Sequence, residues 1–361
     1  MPGSPRLHRA DLTALIEDCC AGVGLSAKDS EAIAEALIYA SLRGQDAHGV
    51  ARLANYMRRV RHGLARGSEA VEVAAEHGVL RRLEANGAIG PAVALKATDL
   101  ATELARDRGA AVVAVGGTTH FGAAGFYARR IAEHGLVGLV LSNGPKAVAP
   151  YGAAEALLGT NPLALGIPAG AGAPVVLDFA TSAIARGQVR RAAERGEPLP
   201  PGTALDADGR PTTDATAALG GSILPFGGAK GSGLALAVSL LVALLAGAQL
   251  DDEMGPMQPG TGSFPLFEGS VGHVIVAIDP HPLTGSGGTE AAAAFAGRLR
   301  ALDPAAGFDA VQTPGERGDA IAAERATDGI PVAAAQLAEI AAACREAGLD
   351  DLAERVERTT R

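Results

Sequence analysis

His48, Arg52 and Tyr56 stand four residues apart in the stretch Arg43-Gly44-Gln45-Asp46-Ala47-His48-Gly49-Val50-Ala51-Arg52-Leu53-Ala54-Asn55-Tyr56. Imidazole exchanges protons near neutrality, and a guanidinium grips a planar carboxylate through two parallel hydrogen bonds. If the stretch continues as a helix, residues four apart share a face. It would then hold a proton carrier, a carboxylate clamp and an aromatic lid over one cleft. Val50, Leu53, Met57 and Val60 form a second, apolar stripe that can bury. The plain alternative is a surface His and Arg on an ordinary helix, so the rest of the chain must decide.

Two further segments bear on the decision. His120 follows the apolar run 110–115, in Gly116-Gly117-Thr118-Thr119-His120-Phe121-Gly122. That is the carboxyl end of an expected buried strand, where α/β folds place ligands. Phe226-Gly227-Gly228-Ala229-Lys230-Gly231-Ser232-Gly233 precedes a long apolar run. Backbone N–H groups, a helix start and Lys230 together suit an anion such as a dinucleotide pyrophosphate. Asp178-Phe179-Ala180-Thr181-Ser182, at another strand end, offers acceptors and donors for a ribose or an amide. No GxGxxG, P-loop, GxSxG or HExxH is present, and the eight histidines are scattered, so no metal site is expected.

These groups need a scaffold of some size, and 361 residues suffice for one large domain or two. The chain is 48% hydrophobic but only 3% aromatic, without Trp, so Ala, Val and Leu must fill the core. Its net charge of −9 argues against a nucleic-acid surface. Cys19, Cys20 and Cys344 show neither disulfide nor zinc spacing, and no secretory signal opens the chain, which fits the cytoplasm. Residues 231–250 carry no charge and reach the length of a membrane span. Flanking Lys230 and Asp251, with internal Ser and Gly, favour a helix buried in a soluble α/β core. Helices are expected at 10–21, 27–42, 91–106, 289–302 and 332–348, and through His134. Strands are expected at 110–115, 136–141, 163–167, 175–179 and 274–278, with two short strands over 71–83 turning at His77-Gly78. The strand–helix–strand run from 110 to 141 marks an α/β fold. Residues 198–214 read as a loop, and the tail after Asp350 is charged.

Seven ordered motifs, spread from about residue 10 to about residue 335, resemble the type-2 malate/L-lactate dehydrogenase family. They are Arg43-Gly44-x-Asp46-x-His48-Gly49-Val50-x-Arg52-Leu53, His120-Phe121-Gly122-Ala123-Ala124-Gly125, and Ala149-Pro150-Tyr151-Gly152 leading to Gly159-Thr160-Asn161-Pro162. Asp178-Phe179-Ala180-Thr181-Ser182, Asp208-Gly209-Arg210-Pro211-Thr212-Thr213-Asp214, Leu224-Pro225-Phe226-Gly227-Gly228-x-Lys230-Gly231 and Pro314-Gly315-Glu316 complete the set.

The resemblance implies NAD- or NADP-dependent hydride transfer at C2 of a small carboxylic acid. It also implies a non-Rossmann α/β fold with a mixed sheet, and a homodimer. A helical lobe is expected from residues 1–70 with 303–361, and an α/β region from 71–302 that binds cofactor and substrate. By match, His48 and His120 are the proton carriers. Arg52, Tyr56, Asn143 and Gly144 face the substrate. Asp178, Phe179, Ala180, Thr181, Ser182, Lys230, Gly231, Gly315, Glu316 and Arg317 face the cofactor. Two departures stand out. Ala47 replaces a Ser common in the family, and Gln188 replaces the acid of its imine-reducing branch. The expected substrate is a 2-oxo or 2-hydroxy acid. The alternatives are a cyclic 2-imino acid and a family member that has lost the redox step.

Overall fold

The computed structural model describes residues 4–255 and 270–359. Among these, seven strands form one mixed sheet: β1 (Glu72–His77), β2 (Leu80–Glu84), β3 (Ala110–Thr118), β4 (Val137–Ser142), β5 (Leu163–Ile167), β6 (Val175–Phe179) and β7 (Val271–Ile278). Their spatial order is β1-β2-β3-β7-β4-β5-β6. Only β2 and β3 pair parallel; every other neighbour is antiparallel. The strand–helix–strand run therefore exists, but β3 and β4 do not touch. β7 lies between them, antiparallel to both.

Period-two burial explains how this sheet is covered. Ala111, Val113 and Val115 of β3 face one side, with Ile275 and Ala277 of β7. Helices α4 (Gly90–Arg108) and α5 (Ala124–Glu133) pack there, through Val93, Ala97, Ala101, Tyr127 and Ile131. Ala114, Leu141 and Val274 face the other side, under Val238, Val242 and Ala246 of a helix over Ala229–Ala246. Small alanines let α4 lie close to the sheet, so the low aromatic content follows from the packing distance. Pro91 opens α4, and Gly109, at φ 85°, ends it.

A second core joins the two ends of the chain. Helices α1 (Arg9–Gly22), α2 (Ala27–Leu42) and α3 (Leu53–Arg61) come from one end. Two C-terminal helices, Ala334–Glu346 and Asp350–Arg358, come from the other. Leu12, Ile33, Leu37, Leu53, Met57, Leu337, Ile340 and Val356 meet in its centre. Ser26 caps α2 by accepting the Asp29 N–H at 3.2 Å. The charged tail is thus a helix that buries Ala353 and Val356. Between the cores, residues 198–214 contribute two short strands, Ala204–Leu205 and Pro211–Thr212, to a small three-stranded sheet.

Continuing in chain order, α6 spans Arg186–Arg195, α7 Ala215–Leu219 and α8 Ala229–Ala246. α9 spans His281–Thr284, α10 Gly287–Arg300 and α11 Glu316–Asp328. α8 is the uncharged stretch of the sequence, apart from Lys230. It is not buried all round, because Leu236, Leu240, Leu241, Leu244 and Leu245 are exposed on its outer face.

Candidate active site

The 43–56 stretch is not one helix. Two 3-10 turns, Asp46–His48 and Val50–Arg52, precede α3. Gly49 between them is extended, at φ −92° and ψ −146°. A Cβ there would lie 2.1 Å from Ser41 Oγ, which accepts the Val50 N–H at 2.9 Å. Val50, Leu53 and Met57 still bury against the helical core, as their stripe requires. Ion pairs fix the loop to α11: Asp46 accepts from Arg325 at 2.6 Å, and Arg43 donates to Asp319 at 2.6 Å and to the Gly315 carbonyl at 2.8 Å.

The break in the helix does not separate the predicted groups. The His48 and His120 rings stack, 5.7 Å between centroids and 10° between planes. The Tyr56 hydroxyl lies 2.8 Å from His120 Nδ1, and the Gly122 N–H points to the same nitrogen at 3.2 Å. An amide N–H can only donate, so Nδ1 accepts; Tyr56 then also donates, and the ring proton sits on Nε2. Tyr56 is 1% exposed and so forms part of the wall, not a lid. Arg52 Nε donates to the Ala47 carbonyl at 2.8 Å, which turns the guanidinium back beside His48.

Burial, then the charge of Arg52, pushes the His48 pKa down to about 3. The same two causes, with His48 and His273 next, hold His120 well below the usual imidazole range. Both rings are therefore neutral in the unliganded protein. Burial and the neighbouring Arg190 also lower Arg52, to about 10, and it stays charged at neutral pH. Tyr56 is raised by burial and stays protonated.

A cleft of about 310 Å³ is lined by Arg43, Gln45, Asp178, Gly315, Arg317 and Ile321 among others, and His48, Arg52, Tyr56 and His120 are not in its lining. Gln45 donates to Asp178 Oδ2 at 3.0 Å, while its own Oε1 is buried with no partner. Burial raises the Asp178 pKa, and Gln45, Gly125 and Arg43 draw it back. Gly315, at φ 100°, lies so close to Val176 that any side chain would be strained there.

The other predicted residues lie outside the lining of that cleft. Thr181 donates through Oγ1 to the Thr160 carbonyl at 2.8 Å, and Ser182 Oγ is buried without a partner. Phe179, at the end of β6 just before Ala180, packs edge-on to Phe226 at 5.5 Å. Gly231 lies against the Phe226 carbonyl with no room for a Cβ, while Lys230 is exposed. Gly144 has open space where a side chain would stand. The Asn143 amide is occupied, donating to the Gln249 carbonyl at 2.7 Å and accepting the Gly272 N–H at 2.9 Å. Glu316 faces a neighbouring cavity of about 190 Å³, where it accepts from Arg300 at 2.6 Å. The sequence reading overlooked Gln45 and His273. His273 is fully buried, stacks on Phe121 at 4.1 Å and bonds Ser142 Oγ at 2.9 Å. A single His within the apolar strand β7 was its only signal.

Comparison with known proteins places this arrangement. The profile of the malate/L-lactate dehydrogenase family matches residues 7–341. The chain belongs to the malate/L-lactate dehydrogenase family. It is 42% identical over 260 residues to the (2R)-3-sulfolactate dehydrogenase (NADP(+)) of Chromohalobacter salexigens, covering 72% of this chain and 76% of that protein. It is 35% identical over 337 residues to the Δ1-pyrroline-2-carboxylate reductase of Ancylobacter novellus, covering 93% and 97%. The sulfolactate dehydrogenase from Methanocaldococcus jannaschii superposes with a TM-score of 0.87 at 30% identity, over 97% of this chain and 99% of that one. As a malate/L-lactate dehydrogenase family member, the chain is an oxidoreductase using NAD or NADP. The cleft fits such a dinucleotide: the orphaned Gln45 Oε1 needs a partner, and the exposed Arg317 at its edge offsets phosphate charge.

Proposed function

We propose that the enzyme interconverts a small 2-oxo acid and its 2-hydroxy acid, with Arg52 holding the carboxylate and His120 handling the proton. The observation that carries this reading is the stacked imidazole pair, its outer ring held by Tyr56 and Gly122, with Arg52 adjacent. Nicotinamide, when bound, supplies or takes the hydride. Asp178, Thr181, Ser182, Lys230, Gly315 and Arg317 would hold the dinucleotide.

The electrostatics give the residues an order of action. Burial and the Arg52 charge keep His120 neutral. A substrate carboxylate on Arg52 cancels that charge and so favours protonation of His120 as the acid binds. Its Nε2–H faces the C2 oxygen and delivers the proton there during reduction. The Tyr56 hydroxyl serves both ring states, donating to Nδ1 when it is bare and accepting from it when it is protonated. His48 forms the second wall, and burial keeps its ring neutral. Gln188 does not point at His48; its Oε1 accepts the Ala185 N–H at 3.0 Å and caps α6. Its difference from the imine-reducing branch therefore leaves the proton-handling set intact, and we favour the 2-oxo acid over the cyclic imine.

The outward leucines of α8 form an exposed apolar stripe at three- and four-residue spacing, the kind of contiguous surface that marks a contact. We read it as the contact of a homodimer of a soluble, cytoplasmic enzyme. Following NAD(P)H absorbance with 2-oxo acids and Δ1-piperideine-2-carboxylate tests the whole reading. The 2-oxo acids should turn over faster. Arg52→Gln should lose about 2–5 kcal/mol of transition-state binding, read from kcat/KM. An unchanged kcat/KM would remove Arg52 from the site.

A further inference from the structure

One face of α11 follows the segment that leads to His48, with residues that none of the seven motifs includes. Gly318, Ile321 and Arg325 stand three and four apart on that face. Arg43 Nη2 lies 3.0 Å from where a Cβ of Gly318 would stand, and Ile321 Cδ1 lies 3.1 Å from that of Gly44. Arg325 donates to the Ser41 carbonyl and, at 2.6 Å, to Asp46 Oδ1. Ser41 in turn accepts the Val50 N–H on its hydroxyl. One guanidinium thus ties the start of the 41–50 segment to its middle, and Ser41 ties the start to the end.

The turn so held has little stiffness of its own. Asp46–His48 is a single 3-10 turn, with one bond of 2.8 Å from the His48 N–H to the Gln45 carbonyl and a longer one of 3.3 Å from the Gly49 N–H to the Asp46 carbonyl. Such turns have poor hydrogen-bond geometry, and glycines flank this one at 44 and 49. Yet the turn sets two groups of the site. It carries the His48 ring, and its Ala47 carbonyl receives Arg52 Nε. A rotation of the turn would move the ring wall and the guanidinium together. The Arg325 side chain is 13% exposed and that of Asp46 29%, so the tie escapes much of the screening that weakens surface ion pairs.

We propose that Arg325, acting through Asp46, is a positioning residue that sets the Ala47 carbonyl and with it the aim of Arg52 at the substrate. The proposal rests on the assignment of Arg52 to the substrate carboxylate. It leaves the cofactor end of α11 apart, because Gly315 and Asp319 have their own tie in Arg43.

The test combines steady-state reduction of pyruvate, oxaloacetate and 3-sulfopyruvate by the full chain with NADH and NADPH dissociation constants read from cofactor fluorescence. It compares the wild type with Arg325→Gln, Arg325→Lys, Asp46→Ala and the double variant Asp46→Ala/Arg325→Gln, each below its melting transition. Arg325→Gln should lower kcat/KM about 10- to 100-fold for every acid that the wild type reduces, with KM rising and kcat falling. The cofactor dissociation constants should move by less than about twofold, since no group placed at the dinucleotide is removed. Arg325→Lys should recover part of the loss. Asp46→Ala should reproduce most of it, and it supplies the reading if Arg325→Gln does not fold. The double variant should be no worse than the weaker single one, as two residues acting through one contact require. A merely structural tie would lower the melting temperature and leave kcat/KM of the folded enzyme within about twofold, which overturns the proposal. Additive losses in the double variant, or cofactor binding weakened as much as kcat/KM, overturn it as well. A wild type that reduces none of the three acids overturns the assignment of Arg52 first, and the positioning role with it.

Discussion

Two buried polar clusters in this protein are finished in opposite ways. Asp251 is 2% exposed, yet both its oxygens are occupied: Oδ2 by the Gly159 N–H and by Asn161 Nδ2, each at 2.7 Å, and Oδ1 by Ser239 at 2.9 Å. Burial raises its pKa and these donors pull it back. The His48–His120 pair is half-buried, and nothing pulls its pKa back up. A saturated group holds a loop in place, whereas an unsaturated one waits for a ligand to complete it. The first should reveal itself in stability and the second in turnover.

Substitutions should separate the two. His120→Gln removes the proposed proton donor while keeping a polar side chain, and kcat should fall about 10²–10⁴-fold with little change in urea midpoint. Asp251→Ala strands three buried donors, and unfolding free energy should drop by about 3 kcal/mol. Its kcat, measured below the new melting transition, should change far less than that of His120→Gln. A loss of turnover with intact stability in Asp251→Ala would erase the distinction.

His273 tests whether a buried ring beside the site belongs to the structural class. Burial pushes its pKa down to about 3, against about 6.5 in the unfolded chain. Above pH 6.5 neither state binds the proton, and its neutral form costs nothing. Below that, the unfolded chain binds more protons, so stability falls by about 1.4 kcal/mol per pH unit until the folded value is reached. His273→Phe keeps the stack on Phe121 and removes the titration. Between pH 7.5 and pH 5.0 it should lose about 2 kcal/mol less than the wild type in urea unfolding. Parallel losses would mean that His273 is already protonated or solvated in the fold.

The sequence made the site legible more fully than its setting. Motifs around His48, His120 and Gly315 are local and land on turns shaped by glycines, while the Asp178 motif begins at the end of β6. The strand limits 163–167 and 175–179 agree with the structure because apolar runs bounded by turns are also local signals. The position of β7 between β3 and β4 was not legible, since its partners lie more than a hundred residues away and pairing order leaves no periodic trace. The four-residue spacing of His48, Arg52 and Tyr56 reads as helix. The contact of Gly49 with Ser41 is a tertiary fact that breaks it. The uncharged α8 reads as buried because composition cannot tell an inward face from one left for a partner.

The smallest effect asks how Tyr56 serves the site. Gly122 N–H alone can hold His120 Nδ1 as an acceptor, so Tyr56→Phe leaves the neutral ring in place. The protonated ring fares differently, because only the Tyr56 oxygen can accept from Nδ1–H. Loss of that one bond weakens proton uptake in the substrate complex by about 1 kcal/mol. Reduction should therefore slow about five- to tenfold at pH 7.5, and the alkaline limb of its kcat profile should shift to lower pH by somewhat less than one unit. A Tyr56 that merely filled space would lower kcat, if at all, evenly across the pH range. An unshifted profile would thus return Tyr56 to the class of Asp251, as a group that shapes the site without sharing in its proton traffic.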